Sequence, residues 1–217
     1  MVPPFEVSVF ADPSGAVTTA AAMVACTEHQ LRQHTDEVLS DKQVYILGGT
    51  GPVGICAGVL SHHCGANVYL VSHRGRDVAA AAAQEYNGRF GVNMLAASSM
   101  DETDLETIIR QAHVVFGAAK AGVRVIHRAE LARADKLLMA ADVNAVPPSG
   151  IEGIDVNDMG KVLDATPAKA TGIGALAIGD VKYKVHRRLF EIMKEDKQRR
   201  YLGHMEAFAV ARELLAK

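Results

Sequence analysis

The sequence predicts an α/β fold, a doubly wound parallel sheet with flanking helices, and three observations predict it. Short continuous apolar runs at residues 44–47, 68–71, 114–116 and 137–141 have the length and content of strands buried on both faces. Helical segments separate them, and strands that alternate with helices form parallel sheets with right-handed crossovers. A glycine cluster, Gly48 to Gly54, stands between the first of these strands and the helix after it.

Each element has its own signal. Residues 5–10 read as a short apolar strand, stopped by Asp12-Pro13-Ser14-Gly15. An Ala-rich helix over 16–33 follows, with Ser14 as its cap. Residues 34–42 are a polar connector. After the strand at 44–47 come a helix at 53–64, a turn at Gly65-Ala66-Asn67 and the strand at 68–71. The pattern continues with a helix at 77–87, a strand at 92–96 and a helix at 101–111 capped by Ser99. Then come the strand at 114–116, a short helix at 128–133 and the strand at 137–141. Residues 143–170 read as one long loop, and a loop of that length inside a compact domain is usually functional. A sixth strand is expected at 173–178, between glycines, and helices at 181–194 and 200–215 close the chain. Lys197-Gln198-Arg199-Arg200 reads as a solvated turn.

Composition narrows the function. The 217 residues make about one and a half domains and bury a full core. Lys plus Arg is 23 against 25 Asp plus Glu, a net charge of −2, which disfavours a nucleic-acid or membrane-surface binder. Aromatics are 5% with no Trp, so stacking platforms for single strands are disfavoured too. The three cysteines, Cys26, Cys56 and Cys64, form no CxxC pair, which fits a reducing compartment and small buried thiols. No signal-peptide pattern and no stretch of about 18 apolar residues is present. The expectation is a cytoplasmic protein. His62, His63 and Cys64 are adjacent on a helix and point apart, so no metal site is expected. No GxSxG elbow points to a hydrolase.

The glycine cluster contains GxGxxG as Gly49, Gly51 and Gly54, with Thr50, Pro52 and Val53 between them. The pattern alone is weak, but strand, glycines, helix and second strand together form a Rossmann-type dinucleotide site. Gly49 permits the tight turn, Gly51 lets the backbone approach a pyrophosphate, and Gly54 lets helix and strand pack closely. The phosphates sit on the free N–H groups of the helix start, where Pro52 is tolerated. The second strand ends in Ser72-His73-Arg74, with no acid before Asp77. An NAD site usually places Asp or Glu there, whereas Arg74 can pair with a 2′-phosphate and Ser72 can donate to it. NADP is therefore the expected cofactor and NAD the second choice; the competing reading of Arg74 is a solvated loop. Ala118, Ala119 and Lys120 follow the strand at 114–116, where small residues let the nicotinamide ribose lie on backbone. Asp142 and Asn144 follow the strand at 137–141, beyond the carboxyl end where ligands bind. An Asx turn entering Pro147-Pro148 is the alternative for that pair.

Several segments together resemble one family. They are Asp12-Pro13-Ser14-Gly15 with Thr18-Thr19-Ala20-Ala21-Ala22; Gly48 to Gly54; Asp142-Val143-Asn144-Ala145-Val146-Pro147-Pro148; Gly150-Ile151-Glu152-Gly153-Ile154; and Gly172-Ile173-Gly174-Ala175-Leu176-Ala177-Ile178-Gly179 leading into Lys182, Lys184, His186 and Arg187. Together they are similar to the NAD(P)-dependent methylene-tetrahydromethanopterin dehydrogenases of methylotrophic bacteria, over nearly the whole chain. The resemblance implies oxidation of a methylene bridge on a reduced pterin to a methenyl bridge, with a hydride passing to the nicotinamide. It implies a role in oxidising formaldehyde-derived one-carbon units, and a homo-oligomer. Members carry a domain ahead of the Asp-x-x-Gly segment that walls the pterin cleft. On that basis residues 1–40 are expected to be the remnant strand and linking helix of the substrate-side domain, 41–180 the dinucleotide-binding domain, and 181–217 helices that pack back on the linking helix.

Lys182 matches a lysine of the family and is the candidate catalytic residue; a solvated charge beside Lys184 and Arg187 is its plain reading. Asp12, Ser14 and Thr18 are candidates for the pterin side, with helix capping as the equal alternative. Asn144 joins them as a substrate contact. A folate- or shikimate-type dehydrogenase, or a non-catalytic NADP-binding module that needs a partner subunit, are the competing functions.

Overall fold

The computed structural model describes residues 7–195 and 199–216. Part of the first expected strand, residues 5 and 6, and Lys197 and Gln198 of the expected turn lie outside them.

Seven strands form the central sheet: β2 (Gln43–Leu47), β3 (Asn67–Ser72), β4 (Leu95–Ser98), β5 (Val114–Gly117), β6 (Met139–Asp142), β7 (Met159–Val162) and β8 (Thr171–Ile173). Their order is β4-β3-β2-β5-β6-β8-β7, parallel throughout except that β7 runs antiparallel to β8. The order reverses between β2 and β5, which makes that gap the topological switch point. Alternation explains why β2 is apolar throughout. Val44 and Ile46 enter the core on one face, and Tyr45 and Leu47 enter a second core on the other. β1 (Val9–Phe10) and β9 (Tyr201–Leu202) pair in parallel as a separate two-stranded ribbon.

Helices cover both faces. α2 (Pro52–His63) and α3 (Arg76–Phe90) follow β2 and β3, and α4 (Glu102–Gln111) and α5 (Arg128–Leu131) precede β5 and β6. α1 (Ala16–Thr35) lies innermost, packed against α2, α6 (Ala175–Glu195) and α7 (His204–Leu215). Residues 20–26 of α1 are all buried, and their small side chains let three helices approach one axis. Glu28 on α1 accepts two 2.7 Å bonds from Arg212 on α7, whose guanidinium stacks on Phe208.

Six expectations need correction. The strand expected at 92–96 lies at Leu95–Ser98. Val92 and Met94 are buried ahead of it, and the Asn87 amide brackets Met94 through both backbone groups at 2.8 and 2.9 Å. The strand expected at 173–178 ends at Ile173, and α6 starts at Ala175. A run apolar on every side does not distinguish a buried strand from a buried helix. The 143–170 loop contains β7, an edge strand whose exposed Met159, Lys161 and Val162 give no apolar run. The closing helix starts at His204 rather than at 200, because Tyr201 and Leu202 pair with β1. Finally, Asp101 caps α4 in place of Ser99, accepting the Asp104 N–H at 2.8 Å. Asp12 does the equivalent for α1 in place of Ser14, accepting the Val17 and Thr18 N–H groups at 2.9 and 3.1 Å.

Two predictions follow from these contacts. Arg212→Ala leaves Glu28 buried without its partner and is expected to lower unfolding free energy by about 2 kcal/mol in urea titrations. His113 Nδ1 accepts the Gln43 N–H at 3.0 Å, joining the starts of β2 and β5. Burial, reinforced by Lys42 and Lys136, holds its pKa below the ordinary imidazole value. Its stabilising contribution is therefore complete above about pH 6.5 and is lost as pH falls from there through the folded value. Unfolding free energies measured from pH 8 to pH 5 should show a shallower acid-side decline for His113→Asn.

Candidate functional site

A cleft of about 580 Å³ opens at the carboxyl edge of the sheet, over the switch point. It draws on three tips. Gly48, Thr50 and Gly51 come from the turn after β2; Ser72, His73 and Arg74 from the end of β3; Ala118, Ala119 and Lys120 from the segment after β5. Ser99, Leu105 and the stretch 123–125 complete the wall.

The turn after β2 is shaped by contact. Gly48 has φ +76°, and a Cβ there would come within 2.6 Å of the Ala118 carbonyl and the Ala119 backbone. A Cβ on Gly49 would meet the Ile46 carbonyl at 2.6 Å and Val71 N at 2.8 Å, and one on Gly54 the Gly48 carbonyl at 2.8 Å. Gly51 differs: its nearest neighbour would be the Gly48 carbonyl at 3.4 Å, so its open side faces the cleft. Pro52 opens α2, and the first intrahelical bond runs from Ile55 N–H to the Gly51 carbonyl. The N–H groups of Val53 and Gly54 precede it and have no intrahelical partner. Thr50 and Gly51 line the cleft, while Gly49, Pro52, Val53 and Gly54 shape it from behind. The free N–H groups and the positive end of α2 make the turn an anion cradle.

At the tip of β3, Ser72 is buried, and its hydroxyl accepts the Arg74 N–H at 3.1 Å. Ser72 thus builds the turn that presents His73 and Arg74, both exposed, at the rim. No carboxylate lines the cleft among the described residues, whereas Arg74, Lys120 and Arg124 do. Arg124 is held by the Ser149 carbonyl at 3.3 Å and Glu152 at 3.4 Å. The Arg128 N–H, with Arg124 and His127 nearby, keeps the Glu152 carboxyl below its ordinary pKa, so it stays charged.

Asp142 and Asn144 stand behind the cleft rather than in its lining. Asp142 is 2% exposed, and its carboxylate accepts the Asn144 and Ile151 N–H groups, each at 3.0 Å. Burial pushes its pKa up, and those N–H groups oppose the shift. Asn144 bonds Gly122, Val146 and Pro148, all through backbone groups. The Asx-turn alternative describes both residues.

The four other candidates meet at the start of α1. The Thr18 hydroxyl donates to Asp12 Oδ2 at 2.7 Å, and His186 Nδ1 lies 3.5 Å from the same oxygen. Ser14 is exposed. Lys182, on the first turns of α6, reaches over the same turn: a Cβ on Gly15 would be 2.6 Å from its Nζ. Thr50 and Pro52 share a smaller cleft of about 250 Å³ with Pro13, Ala16 and Val17, so this turn stands beside the phosphate cradle. Asp12 and Thr18 bond each other, Ser14 is exposed, and Lys182 is half-buried over Gly15.

Burial pushes all three thiols, Cys26, Cys56 and Cys64, up to about 12, so none supplies a thiolate at neutral pH. Sequence reasoning named Gly48 only as the start of the glycine cluster and Ser99 only as a helix cap, and it did not single out Leu105 or Arg124. Leu105 and Arg124 belong to no motif, and their approach to the cleft follows only from the crossing of α4 and the loop after β5.

No protein-family profile matches the chain. It is 40% identical over 213 residues to the NAD(P)-dependent methylenetetrahydromethanopterin dehydrogenase of Methylorubrum extorquens, covering 98% of this chain and 71% of that protein. It is 38% identical over 192 residues to the Bifunctional protein MdtA of the same organism, covering 87% of this chain and 64% of that one. Among solved structures, the quinate dehydrogenase of Corynebacterium glutamicum in complex with NAD superposes with a TM-score of 0.56 at 12% identity, over 100% of this chain and 76% of that one. An L-alanine dehydrogenase gives 0.53 at 14% identity, over 93% and 58%. These two likenesses show the Rossmann-type fold.

The contrast between two glycines is testable. Gly51→Val has room within the protein and should change stability by no more than about 1 kcal/mol, yet abolish nucleotide binding, because its side chain fills the cradle. Gly48→Ala combines a positive φ with a backbone collision and should lower unfolding free energy by about 2 kcal/mol. Calorimetric titration and thermal melts of the two variants separate the effects.

Proposed function

Because the chain belongs to the NAD(P)-dependent methylenetetrahydromethanopterin dehydrogenase family, we propose that it transfers a hydride from methylene-tetrahydromethanopterin to NADP, with NAD as the second choice. It is a Rossmann-type oxidoreductase of an NAD(P)-using family. The observation that carries the cofactor assignment is the cleft rim, with Arg74 presented by Ser72 and no carboxylate to receive a ribose hydroxyl.

The residues divide the task. The N–H groups at the start of α2 hold the pyrophosphate, and Gly51 leaves room for it. Arg74 forms a charge-assisted pair with the 2′-phosphate. Ala118 and Ala119, small and at the cleft floor, let the second ribose lie on backbone. Bound NADP supplies the hydride acceptor. On the substrate, the methylene C–H bond breaks with its electron pair while the adjacent pterin nitrogen lone pair forms a C=N bond, so no side chain has to move a proton. The chain's contribution is then to align two rings and tolerate a growing positive charge. Exposed Ser14 and half-buried Lys182, beside the cradle, are the substrate-side groups in this reading; Lys182 binds the anionic part of the substrate. Asp12 and Thr18 hold the turn that carries Ser14.

The same reading makes residues 1–40 a substrate-side element, 41–180 the nucleotide domain and 181–217 the helices that join them. It also makes the protein a cytoplasmic homo-oligomer that oxidises formaldehyde-derived one-carbon units. Among the described residues no helix is long and apolar enough to cross a membrane. Family membership favours this substrate over a folate- or shikimate-type one.

A titration with NADP and then NAD, followed by an assay with methylene-tetrahydromethanopterin, tests the proposal. NADP binding with turnover supports it; binding without turnover assigns a nucleotide module instead, and no binding of either overturns it. Arg74→Ala should weaken NADP by at least about tenfold and NAD by less than about twofold. An equal loss for both would remove the 2′-phosphate assignment.

A further inference from the structure

The segment after β5 has an anchor at each end. At its start the Ala118 N–H donates to the Leu47 carbonyl at 2.9 Å. At its end the Gly122 N–H donates to the Asn144 side-chain oxygen at 3.0 Å. Between them the backbone of Ala118 and Ala119 packs on Gly48 so closely that a Cβ there would lie 2.6 Å away. Asn144 holds one end of this short segment at Gly122, and the other end, at Ala118 and Ala119, lies against the phosphate cradle.

Asn144 suits an anchor. It is 6% exposed. Its amide oxygen also accepts the Val146 N–H at 3.0 Å, and its amide nitrogen donates to the Pro148 carbonyl at 2.8 Å. Asp142 fixes its backbone through the Asn144 N–H. One side chain thus ties the tip of β6 to two loops. Gly122, at φ +75°, turns the segment back where no side chain of its own can hold it.

A dinucleotide lies with one mononucleotide half on each side of the switch point. With the 2′-phosphate at Arg74 on the β3 side, the nicotinamide half falls over the tips of β5 and β6. We propose that Asn144 is a positioning residue for the nicotinamide half. It touches neither nucleotide nor substrate, and through the Gly122 N–H it sets the height of the 118–122 segment on which that half rests. The inference rests on the dinucleotide reading above. Its leverage is geometric, since a misplacement of about 1 Å can slow a transfer by about 10²-fold.

The test compares two probes on the unaltered chain and on Asn144→Ala. 2′,5′-ADP carries only the adenosine half, and NADPH adds the nicotinamide, whose fluorescence reports how firmly the ring is held. Asn144→Ala should bind 2′,5′-ADP within about twofold of the unaltered chain, bind NADPH about three- to tenfold more weakly, and lose at least about half of the emission gained on binding. Asn144→Asp keeps both acceptor contacts, to Gly122 and Val146, and should fall between the two; it is read by the same criteria if the alanine variant does not fold. A merely structural residue would lower the melting temperature and leave the NADPH emission and the ratio of the two affinities unchanged, which overturns the proposal. Equal loss of both probes overturns it as well. If the unaltered chain binds neither probe, the nucleotide reading itself fails and takes this inference with it, whereas an unaltered chain that binds both beside an indistinguishable variant removes the anchor alone.

Discussion

Everything at the cleft depends on backbone meeting backbone without side chains between. The turn after β2 runs against the end of β3, the first turn of α2 and the segment after β5, and at Gly48, Gly49 and Gly54 a single methyl group would collide with main-chain atoms. Main chain is the least adjustable part of a protein, because shifting it moves hydrogen-bonded strands. The contacts therefore act as a rigid datum. They fix where the α2 N–H groups point, and hence where an anion can sit. Gly51 is the exception that gives the arrangement its use: the same absence of a side chain faces outward there.

A second consequence follows from the layer beneath. Helix α2, whose start forms the cradle, packs on α1, which is buried along its middle and also touches α6 and α7. The Asp12 carboxylate starts this helix, and Lys182 of α6 leans over the same turn. The substrate-side candidates therefore do not sit on a free loop. They sit where two long helices converge beside the phosphate cradle, and their separation is set by packing in the helix layer.

The strands buried on both faces were legible because a two-sided core demands an unbroken apolar run, as at 44–47 and 114–116. β7 was not, since an edge strand with Met159, Lys161 and Val162 exposed shows no such run. The glycine turn was legible in place and in its close packing. Gly49 and Gly54 have the close neighbours that the spacing predicted, although the pattern does not include Gly48, whose partner lies some seventy residues on in Ala118 and Ala119. Asp142 and Asn144 were found as residues, but the backbone groups that they bond were not legible. Position after a strand says that a polar side chain is near a cleft, while the backbone N–H groups that occupy it are contributed by loops elsewhere in the sequence. Arg124 and Leu105 could not be found, because only the packing of the loop after β5 and of α4 brings them to the rim.

The ribbon of β1 and β9 joins the two ends of the described chain, with the Arg200 N–H bonded to the Ser8 hydroxyl across 192 positions. Together with the Glu28–Arg212 pair, it means that α1 is made well before the helices that enclose it. During synthesis the alanine-rich faces of α1 that α2 does not cover must wait until some 150 further residues deliver α6 and α7. Contacts so distant in sequence form slowly, and an apolar helix left open in the interval is a site for chaperones and for misassociation. Folding yield should be governed by how promptly α6 and α7 close over α1.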